Sequence, residues 1–563
     1  MVSRFIPDVK SNRDDGGQCR EAYRARRRRL GWHSVPHTLE PVAAGPFVRG
    51  VPPELGPPLD TPFDKLEGRV PKALIVKCPL SRENASDMAN NKDVAIVILA
   101  AGKGTRLKSS LAKVLHTAGG RPLVEHVVRA CLGLGAKKII AVLGHQAEKV
   151  AEIVEPLGAE SVLQQPQNGT GHAMLVAKRA IGNAKFVVVL PGDAPLVKTE
   201  TLKALIQKHK QGQAAATILT AVLADPSGYG RILRKGGDAV LAIVEESQLT
   251  AEQRELNEIN SSIYCFATAK LWPALGQVKP NNKHREIYLT DAVGVMNAKG
   301  ETVLAEIAAD SREMLGCNTR ADLAEVDHTF RERKREQLMT DGVTIQLPET
   351  VLIDPEVTVG EDTVIEPCVQ LLGKTKIGAR CVVKTGSVVH NCVLGDTVTV
   401  EAHCVMSESK LETDVVVGPF ARLRAGTLLK SGARLGNFVE TKQSVVGEGT
   451  KAMHLTYLGD AKIGSKTNIG AGTIICNYDG FQKNPTTIGN RAFIGSDAAL
   501  VAPVRIGDGA YVAAGSTITD NVPEDALGIA RGRQVNKPGW AGKKRRELAA
   551  RQPAPKKKKP IRR

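Results

Sequence analysis

Aromatic side chains are scarce in this sequence: Phe, Tyr and Trp together make 4% of 563 residues, against 54 glycines. That excludes a core built on bulky rings and favours small branched aliphatics and turns. Cysteine pairing is lacking too. The ten cysteines scatter from Cys19 to Cys476 with no CxxC and no Cys/His grouping at zinc spacing, which points away from a zinc module and toward a reducing compartment. No window reaches ~18 uninterrupted apolar residues, and the N-terminus has no compact apolar stretch, so neither a transmembrane helix nor a secretory signal is predicted. The expected location is the cytoplasm. The formal net charge of +18 does not mark the whole chain as basic, because about +4 lies in residues 1–87 and about +11 in residues 537–563. With the body near neutral, no specific nucleic-acid partner and no membrane partner is expected. A chain this long, 42% hydrophobic, needs at least two cores.

Composition divides it further. Residues 1–87 are rich in Pro and Arg with little apolar period, and predict a disordered or non-native extension. Met88 stands before a polar lead-in to the first strong strand, so translation starting there is one reading and a targeting segment the other. From 94 to about 318, apolar runs at Val94 to Leu99, Ile139 to Leu143, Phe186 to Leu190 and Thr217 to Leu223 alternate with helical stretches. Such alternation predicts an α/β sheet, parallel in the main, with ligands at the carboxyl ends of strands. Thr319 and Asp322 read as a capping box opening a helix over 319–341, whose face carries Leu323, Val326, Phe330 and Leu338 and which connects the domains.

After Gly342 a period of six takes over. Ile488, Ile494, Leu500, Ile506, Val512 and Ile518 keep one register, and earlier copies include Val359-Gly360, Ile377-Gly378, Leu394-Gly395, Val417-Gly418, Ile463-Gly464 and Ile469-Gly470. Hexapeptide periodicity predicts a parallel β-helix over 342–536, with each aliphatic inward and the small residue after it turning the corner. The tail, 537–563, with Lys543 to Arg546 and Lys556 to Lys559, reads as solvated, disordered and basic.

The strand Val94 to Leu99 runs into Ala100-Ala101-Gly102-Lys103-Gly104-Thr105-Arg106, a glycine-rich turn opening toward a helix. Glycines let backbone N–H groups approach phosphate oxygens, and Lys103 and Arg106 add charge where a leaving pyrophosphate would develop it. Leu107 stands where a dinucleotide fingerprint needs glycine, and there is no Gly-Lys-Ser/Thr, so neither the dinucleotide nor the Walker pattern fits. Lys113 follows shortly. Asp193, directly after the strand Phe186 to Leu190, is a carboxylate suited to Mg²⁺ against phosphate.

LAAGKGTR at Leu99 to Arg106, KVLH at Lys113 to His116, QNGTGHA at Gln167 to Ala173 and GYGRI at Gly228 to Ile232 resemble the sugar-1-phosphate nucleotidyltransferases. A hexapeptide β-helix follows, with GPFARLRAG (Gly418 to Gly426), GNFVE (Gly436 to Glu440), HLTYLGDA (His454 to Ala461) and NIGAGTIICNYDG (Asn468 to Gly480). Over about 94 to 536 the chain thus closely resembles the bacterial bifunctional GlmU family.

The resemblance implies a Rossmann-like mixed sheet in a uridylyltransferase domain (88–318) and a left-handed β-helix in an acetyltransferase domain (342–536). Acetyl-CoA would acetylate glucosamine-1-phosphate, and UTP would then convert N-acetylglucosamine-1-phosphate to UDP-N-acetylglucosamine, a cell-envelope precursor. It makes Leu99, Ala100, Ala101, Gly102, Gln164, Gly169 and Thr170 the nucleotide cradle and Lys113 a phosphate contact. Gly230, Glu245 and Asn260 would grip the sugar, and Asp193 and Asn318 would hold Mg²⁺. Catalysis would be in-line attack with Arg106 and Lys113 spreading charge, and no protein nucleophile. Two positions depart from the family pattern: Pro191 before Gly-Asp, where an aromatic is usual, and Glu246-Ser247, where a basic residue is common.

A β-helix needs no His, Lys, Arg or Tyr in its core, so Arg424, Lys442, His454 and Tyr457, on segments about one coil apart, are expected to meet at one edge. His454 suits the general base that frees a sugar amine near neutral pH. Arg424 and Lys442 would hold the sugar phosphate, and Tyr457, Asn468, Asn477 and Tyr478 would position sugar and thioester. Acetyl-CoA would meet Ala471, Asn477, Tyr478, Ser496, Ala514 and Arg531, in a site shared between chains of a homotrimer. Cys476 raises the alternative of a covalent acyl intermediate. Two further alternatives are a single-activity nucleotidyltransferase with a scaffolding β-helix, and a silent scaffold with nucleic-acid-binding tails.

Overall fold

The computed structural model describes residues 91–279 and 286–551. The expectations for residues 1–87, for a start at Met88 and for Lys556 to Lys559 lie outside the described residues.

The first domain is built on a mixed sheet of nine strands among the described residues. In chain order they are β1 (Val94–Ala100), β2 (Lys138–Leu143), β3 (Glu160–Leu163), β4 (Phe186–Pro191), β5 (Ala216–Val222), β6 (Arg231–Gly236), β7 (Ala239–Val244), β8 (Glu258–Ala267) and β9 (Val303–Ile307), and their spatial order is 3-2-1-4-8-5-9-7-6. β1, β2, β3 and β4 pair in parallel, as do β5 and β9. β8 is antiparallel to both β4 and β5, and β7 is antiparallel to β6 and β9. Seven of the nine strands run the same way and only β7 and β8 are reversed, so the sheet is mixed and parallel in the main, as expected. Alternating runs imply crossovers, but nothing local tells β8 to enter between β4 and β5 with its direction reversed. The four expected strands form, within one residue at each end, and β1 is buried on both faces as its unbroken apolar run requires.

The glycine-rich turn does not open into an α-helix, a correction. It leads to two 3₁₀ turns, Thr105–Leu107 and Lys113–Leu115, and the first α-helix among the described residues, α1, begins only at Leu123 (Leu123–Leu132). No α-helix N-terminus stands behind this turn, so a phosphate there would meet side chains and exposed backbone only.

Helix α2 (Arg320–Thr340) starts at the expected box, with Thr319 Oγ1 accepting from Asp322 N–H at 3.1 Å and Asp322 Oδ2 accepting from Thr319 N–H at 3.0 Å. Val326 is buried with Ala118, Leu123, Leu196 and Cys317 of the first domain, whereas Leu338 joins the core of the second. Arg331 holds both Asp327 and Asp354, and Arg335 donates to Val351 O at 3.1 Å. The helix packs into both domains.

Beyond Gly342 the chain winds into a parallel β-helix. Along one face, Thr358, Lys376, Val393, Lys410, Leu428, Val445 and Lys462 pair in sequence, so each coil takes 17 or 18 residues. The next step, Lys462 to Thr487, takes 25 because the chain makes an excursion over 477–484. All six residues of the late register, from Ile488 to Ile518, are at most 4% exposed. The glycines that follow the aliphatics do more than turn a corner: a Cβ at Gly464 would lie 2.5 Å from the carbonyl carbon of Gly489 on the next coil. Stacking is too close there for any side chain.

The basic tail is corrected as well. Trp540–Arg551 is a helix with no buried residue, so the segment is solvated but not disordered over that span.

Candidate active sites

A cleft of about 1350 Å³ opens at the carboxyl ends of β1 and β4 and is lined by Leu99, Gly102, Gln164, Gly169, Asp193 and Glu245, among others. At Asp193, which lines it, four residues from three stretches of the chain meet. Lys113 Nζ forms an ion pair with Asp193 and donates to Asn318 Oδ1 at 2.7 Å, and Arg106 Nη2 donates to the same oxygen at 2.7 Å. Asn318 is placed by α2, because Asp322 Oδ2 accepts its backbone N–H at 2.8 Å. One carboxylate and one amide oxygen thus converge on a cation, here the Lys113 ammonium. Hard oxygen donors with room for phosphate beside them fit Mg²⁺. Lys103 is exposed on the turn above.

The cradle is ordered by backbone contacts. Gly192 N–H donates to Leu99 O at 2.9 Å, and His145 N–H to Ala101 O at 3.1 Å, with Ala100 buried between. Gln164 donates from Nε2 to Gly169 O at 2.9 Å, which leaves its amide oxygen for a ligand. Gly169 has φ +94°, and a Cβ there would lie 2.6 Å from Ile287 O, so glycine is required for the close approach. Thr170 Oγ1 accepts from Leu289 N–H at 3.0 Å.

Gly230, Glu245 and Asn260 are brought together: Asn260 N–H donates to Gly230 O at 2.9 Å, and a Cβ at Gly230 would lie 3.6 Å from Glu245 Oε2. Burial, then Asp291, pushes the Glu245 carboxyl up against a hydrogen bond from Thr290, and burial pushes Asp291 up too. Glu246 turns away to accept from Arg231 Nη1 at 3.1 Å and Arg254 Nη1 at 3.2 Å, so it staples the fold while Ser247 faces the cleft. Pro191 also lines the cleft.

On the β-helix the expected residues fall into two groups. Arg424 and Lys442 lie one coil apart, Arg424 donating to Glu440 Oε1 at 3.0 Å. Lys483 crowds Lys442 and, with Arg424 behind it, lowers the Lys442 ammonium, against Asp460. Three cations held this close favour an anion between them. Asn477 Nδ2 reaches Asp460 Oδ2 at 2.5 Å and Tyr457 Oη at 3.4 Å, while the Tyr478 hydroxyl donates to Gly480 O at 2.6 Å.

Among the described residues no hydrogen bond joins His454 to this group. His454 sits around the preceding corner, where its Nδ1 faces Asn437 Oδ1 at 2.8 Å. An amide oxygen there requires Nδ1 to carry the proton and leaves Nε2 as the basic nitrogen. The same corner continues coil by coil: Gly472 N–H donates to Leu455 O, Asp497 N–H to Ala471 O and Gly515 N–H to Ser496 O. Asn437, His454, Ala471, Ser496 and Ala514 therefore form one column, closed by Arg531 donating to Ala514 O at 2.9 Å. Asn468 is on the strand just before that corner, paired with Lys451 and Phe493. Cys476 is exposed, and no base is bonded to its thiol among the described residues.

Asn437 and Lys483 were missed in the sequence, although Asn437 lies in GNFVE, 17 positions before His454. One coil's spacing was the signal. Lys483 carries none, because the 25-residue coil breaks the period.

Residues 96–291 match the family model described as the MobA-like NTP transferase domain, and residues 485–520 match the bacterial transferase hexapeptide (six repeats). The chain is 50% identical over 464 residues to a "Bifunctional protein GlmU" of Koribacter versatilis, covering 82% of this chain and 99% of that one. The protein of the same name from Solibacter usitatus is 50% identical over 458 residues, 81% of this chain and 98% of its own. That of Geotalea uraniireducens is 47% identical over 457 residues, 80% of this chain and 100% of its own.

Proposed function

The chain belongs to the bifunctional GlmU family, and from that premise we propose how its two sites divide the work. The enzyme makes UDP-N-acetylglucosamine: acetyl transfer from acetyl-CoA to glucosamine-1-phosphate, then uridylyl transfer from UTP to N-acetylglucosamine-1-phosphate with release of pyrophosphate.

Uridylyl transfer is assigned to residues 88–318 with the helix that follows. The observation that carries this is the meeting of Arg106, Lys113 and Asn318 around Asp193, which lines the cleft. The sugar phosphate is its own nucleophile, so the protein's work is alignment and charge. Leu99 to Gly102, Gln164, Gly169 and Thr170 hold the nucleotide, and Gly230, Glu245 and Asn260 hold the sugar. Lys113 and Arg106 offset charge on the α-phosphate and the leaving pyrophosphate. Asp193 and Asn318 would hold Mg²⁺, which when bound neutralises phosphate charge.

Acetyl transfer is assigned to the β-helix, residues 342–536. Arg424, Lys442 and Lys483 bind the sugar phosphate, with Tyr457 and Asn477 beside it. His454 Nε2 takes a proton from the sugar ammonium, the amine attacks the thioester carbonyl directly with no step at Cys476, and as the C–S bond breaks the CoA thiolate leaves, taking up the proton held on His454. Ala471, Ser496, Ala514 and Arg531 line the acetyl-CoA side, with Asn468 and Tyr478 nearby. His454 and the basic face lie on opposite sides of a corner, which supports a site completed by other chains in a homotrimer. Phe420, Phe438 and Leu455, stacked along the next column and 50–62% exposed, supply an apolar surface for a second copy to cover. Among the described residues no helix is long and apolar enough to cross a membrane. Since acetyl-CoA and UTP are cytoplasmic metabolites, the reading puts the enzyme there.

The test is thiol release from acetyl-CoA with glucosamine-1-phosphate and no UTP. Release that disappears in His454→Ala supports the second site; none from folded protein would reduce the β-helix to a scaffold.

A further inference from the structure

The side-chain amide of Asn260 is not free to turn. Its Oδ1 accepts the backbone N–H of Ser262 at 3.1 Å and the hydroxyl of Tyr264 at 3.0 Å. A backbone N–H is always a donor, so the atom facing it must be the amide oxygen. Tyr264 is 2% exposed, and burial pushes its phenol up, which keeps it a donor at neutral pH.

Ser262 reaches that oxygen from an uncommon conformation. Its φ is +63°, at a bulge where the pairing of β8 with β5 slips between Asn260 and Ile263. Left-handed backbone at a non-glycine residue is disfavoured and collects at functional sites. Ser262 and Tyr264 both line the cleft. With the oxygen doubly occupied, Asn260 has only its N–H₂ left, and that group has no partner among the described residues. Beyond Gly230 stands Glu245, a hydrogen-bond acceptor when ionised.

We propose that Tyr264 and the left-handed turn at Ser262 are positioning residues that lock the N–H₂ of Asn260 toward the sugar. The subsite then presents a donor from Asn260 beside an acceptor from Glu245, the complement of a secondary amide, whose carbonyl accepts and whose N–H donates. That matches the acetamido group of the N-acetylglucosamine-1-phosphate already assigned to this cleft. A free ammonium offers Asn260 nothing to bond, and leaving that donor unpaired is what rejects it. This inference rests on the reading of the cleft as the uridylyl-transfer site.

Tyr264→Phe keeps the ring and removes the donor. Uridylyl transfer is measured on the full-length protein with N-acetylglucosamine-1-phosphate and with glucosamine-1-phosphate, together with the KM for UTP. The expected result is a fall of about tenfold in kcat/KM for the acetylated sugar, expressed mainly in KM, with the UTP KM unchanged. The preference for the acetylated sugar falls by the same factor. An equal loss for both sugars, or no loss for either, would overturn the assignment. If thermal melting shows that Tyr264→Phe does not fold, Asn260→Asp carries the test, since it replaces the N–H₂ by an oxygen and should also erase the preference; an intact preference would overturn the inference. Wild-type protein inactive with both sugars would instead overturn the uridylyl-transfer reading beneath it.

Discussion

Replacing Asn437 by Ala removes the side chain that fixes the His454 ring. The bond is 2.8 Å long and lies on an exposed corner, so its net worth is that of a neutral hydrogen bond, about 0.5–1.5 kcal/mol. Acetyl transfer by Asn437→Ala should therefore slow about 2- to 10-fold, while His454→Ala, which removes the base itself, should slow it about 10²- to 10⁴-fold. Asn437→Asp separates orientation from packing. A carboxylate at that point still holds Nδ1–H but also favours the imidazolium, so the ring keeps its proton to higher pH. Since only the unprotonated ring is a base, the acid limb of kcat should move to higher pH in Asn437→Asp. The assay is thiol release from acetyl-CoA at saturating glucosamine-1-phosphate across the neutral range. A rate for Asn437→Ala equal to wild type, with an Asn437→Asp profile superimposed on it, would refute the role given to this pair.

Other outcomes follow from the same geometry. Asp193→Asn should abolish uridylyl transfer and spare acetyl transfer, and His454→Ala should do the reverse; loss of both activities in either folded variant would show that the sites are not independent. Leu500 is fully buried in the β-helix, so Leu500→Ala should cost about 2–5 kcal/mol in denaturant unfolding, whereas Val405→Ala, at a residue 49% exposed, should cost well under 1 kcal/mol. His126 and His209 are lowered to about 4, in each case chiefly by burial. Because the unfolded chain binds these protons first, stability should be full above about pH 6.5 and fall toward pH 4, by at most about 3 kcal/mol for each. His209→Leu should flatten that slope in urea midpoints measured against pH, and an unchanged slope would show that another group carries it.

Much of the β-helix was legible because its code is local: an aliphatic every sixth residue must be inward if coils stack, and Ile488 to Ile518 are. The capping box at Thr319 was equally readable, three residues being enough to write it. The direction of β8 was not, because strand order is decided by partners tens of residues away. The glycine-rich turn misled for a related reason: Gly102 to Arg106 specify a tight loop, but whether a helix follows depends on how Val114 and Leu115 pack. At the sites, Arg106, Lys113, Asp193 and Asn318 were identifiable by chemistry and resemblance. Their meeting spans more than 200 positions, which no spacing encodes. The partition of the acetyl-transfer residues across a corner was hidden as well, since HLTYLGDA reads as one motif while the chain bends within it at Leu455.

Helix α2 makes the two catalytic halves unequal heirs of the chain. Its first turn holds Asn318 for the uridylyl-transfer site, and its last turns lie in the other domain's core through Leu338. A gene cut at the apparent edge of the first domain, near residue 318, would hand the anchor of Asn318, its proposed metal ligand, to the wrong product. The junction that respects the chemistry is the turn at Asp341 and Gly342, after the helix, at the expense of exposing Leu338. Any lineage that exchanged β-helices beneath this cleft could do so cleanly only by passing on the helix with the first domain and recreating, in each new partner, a coil with a seat for Leu338 and a carboxylate for Arg331.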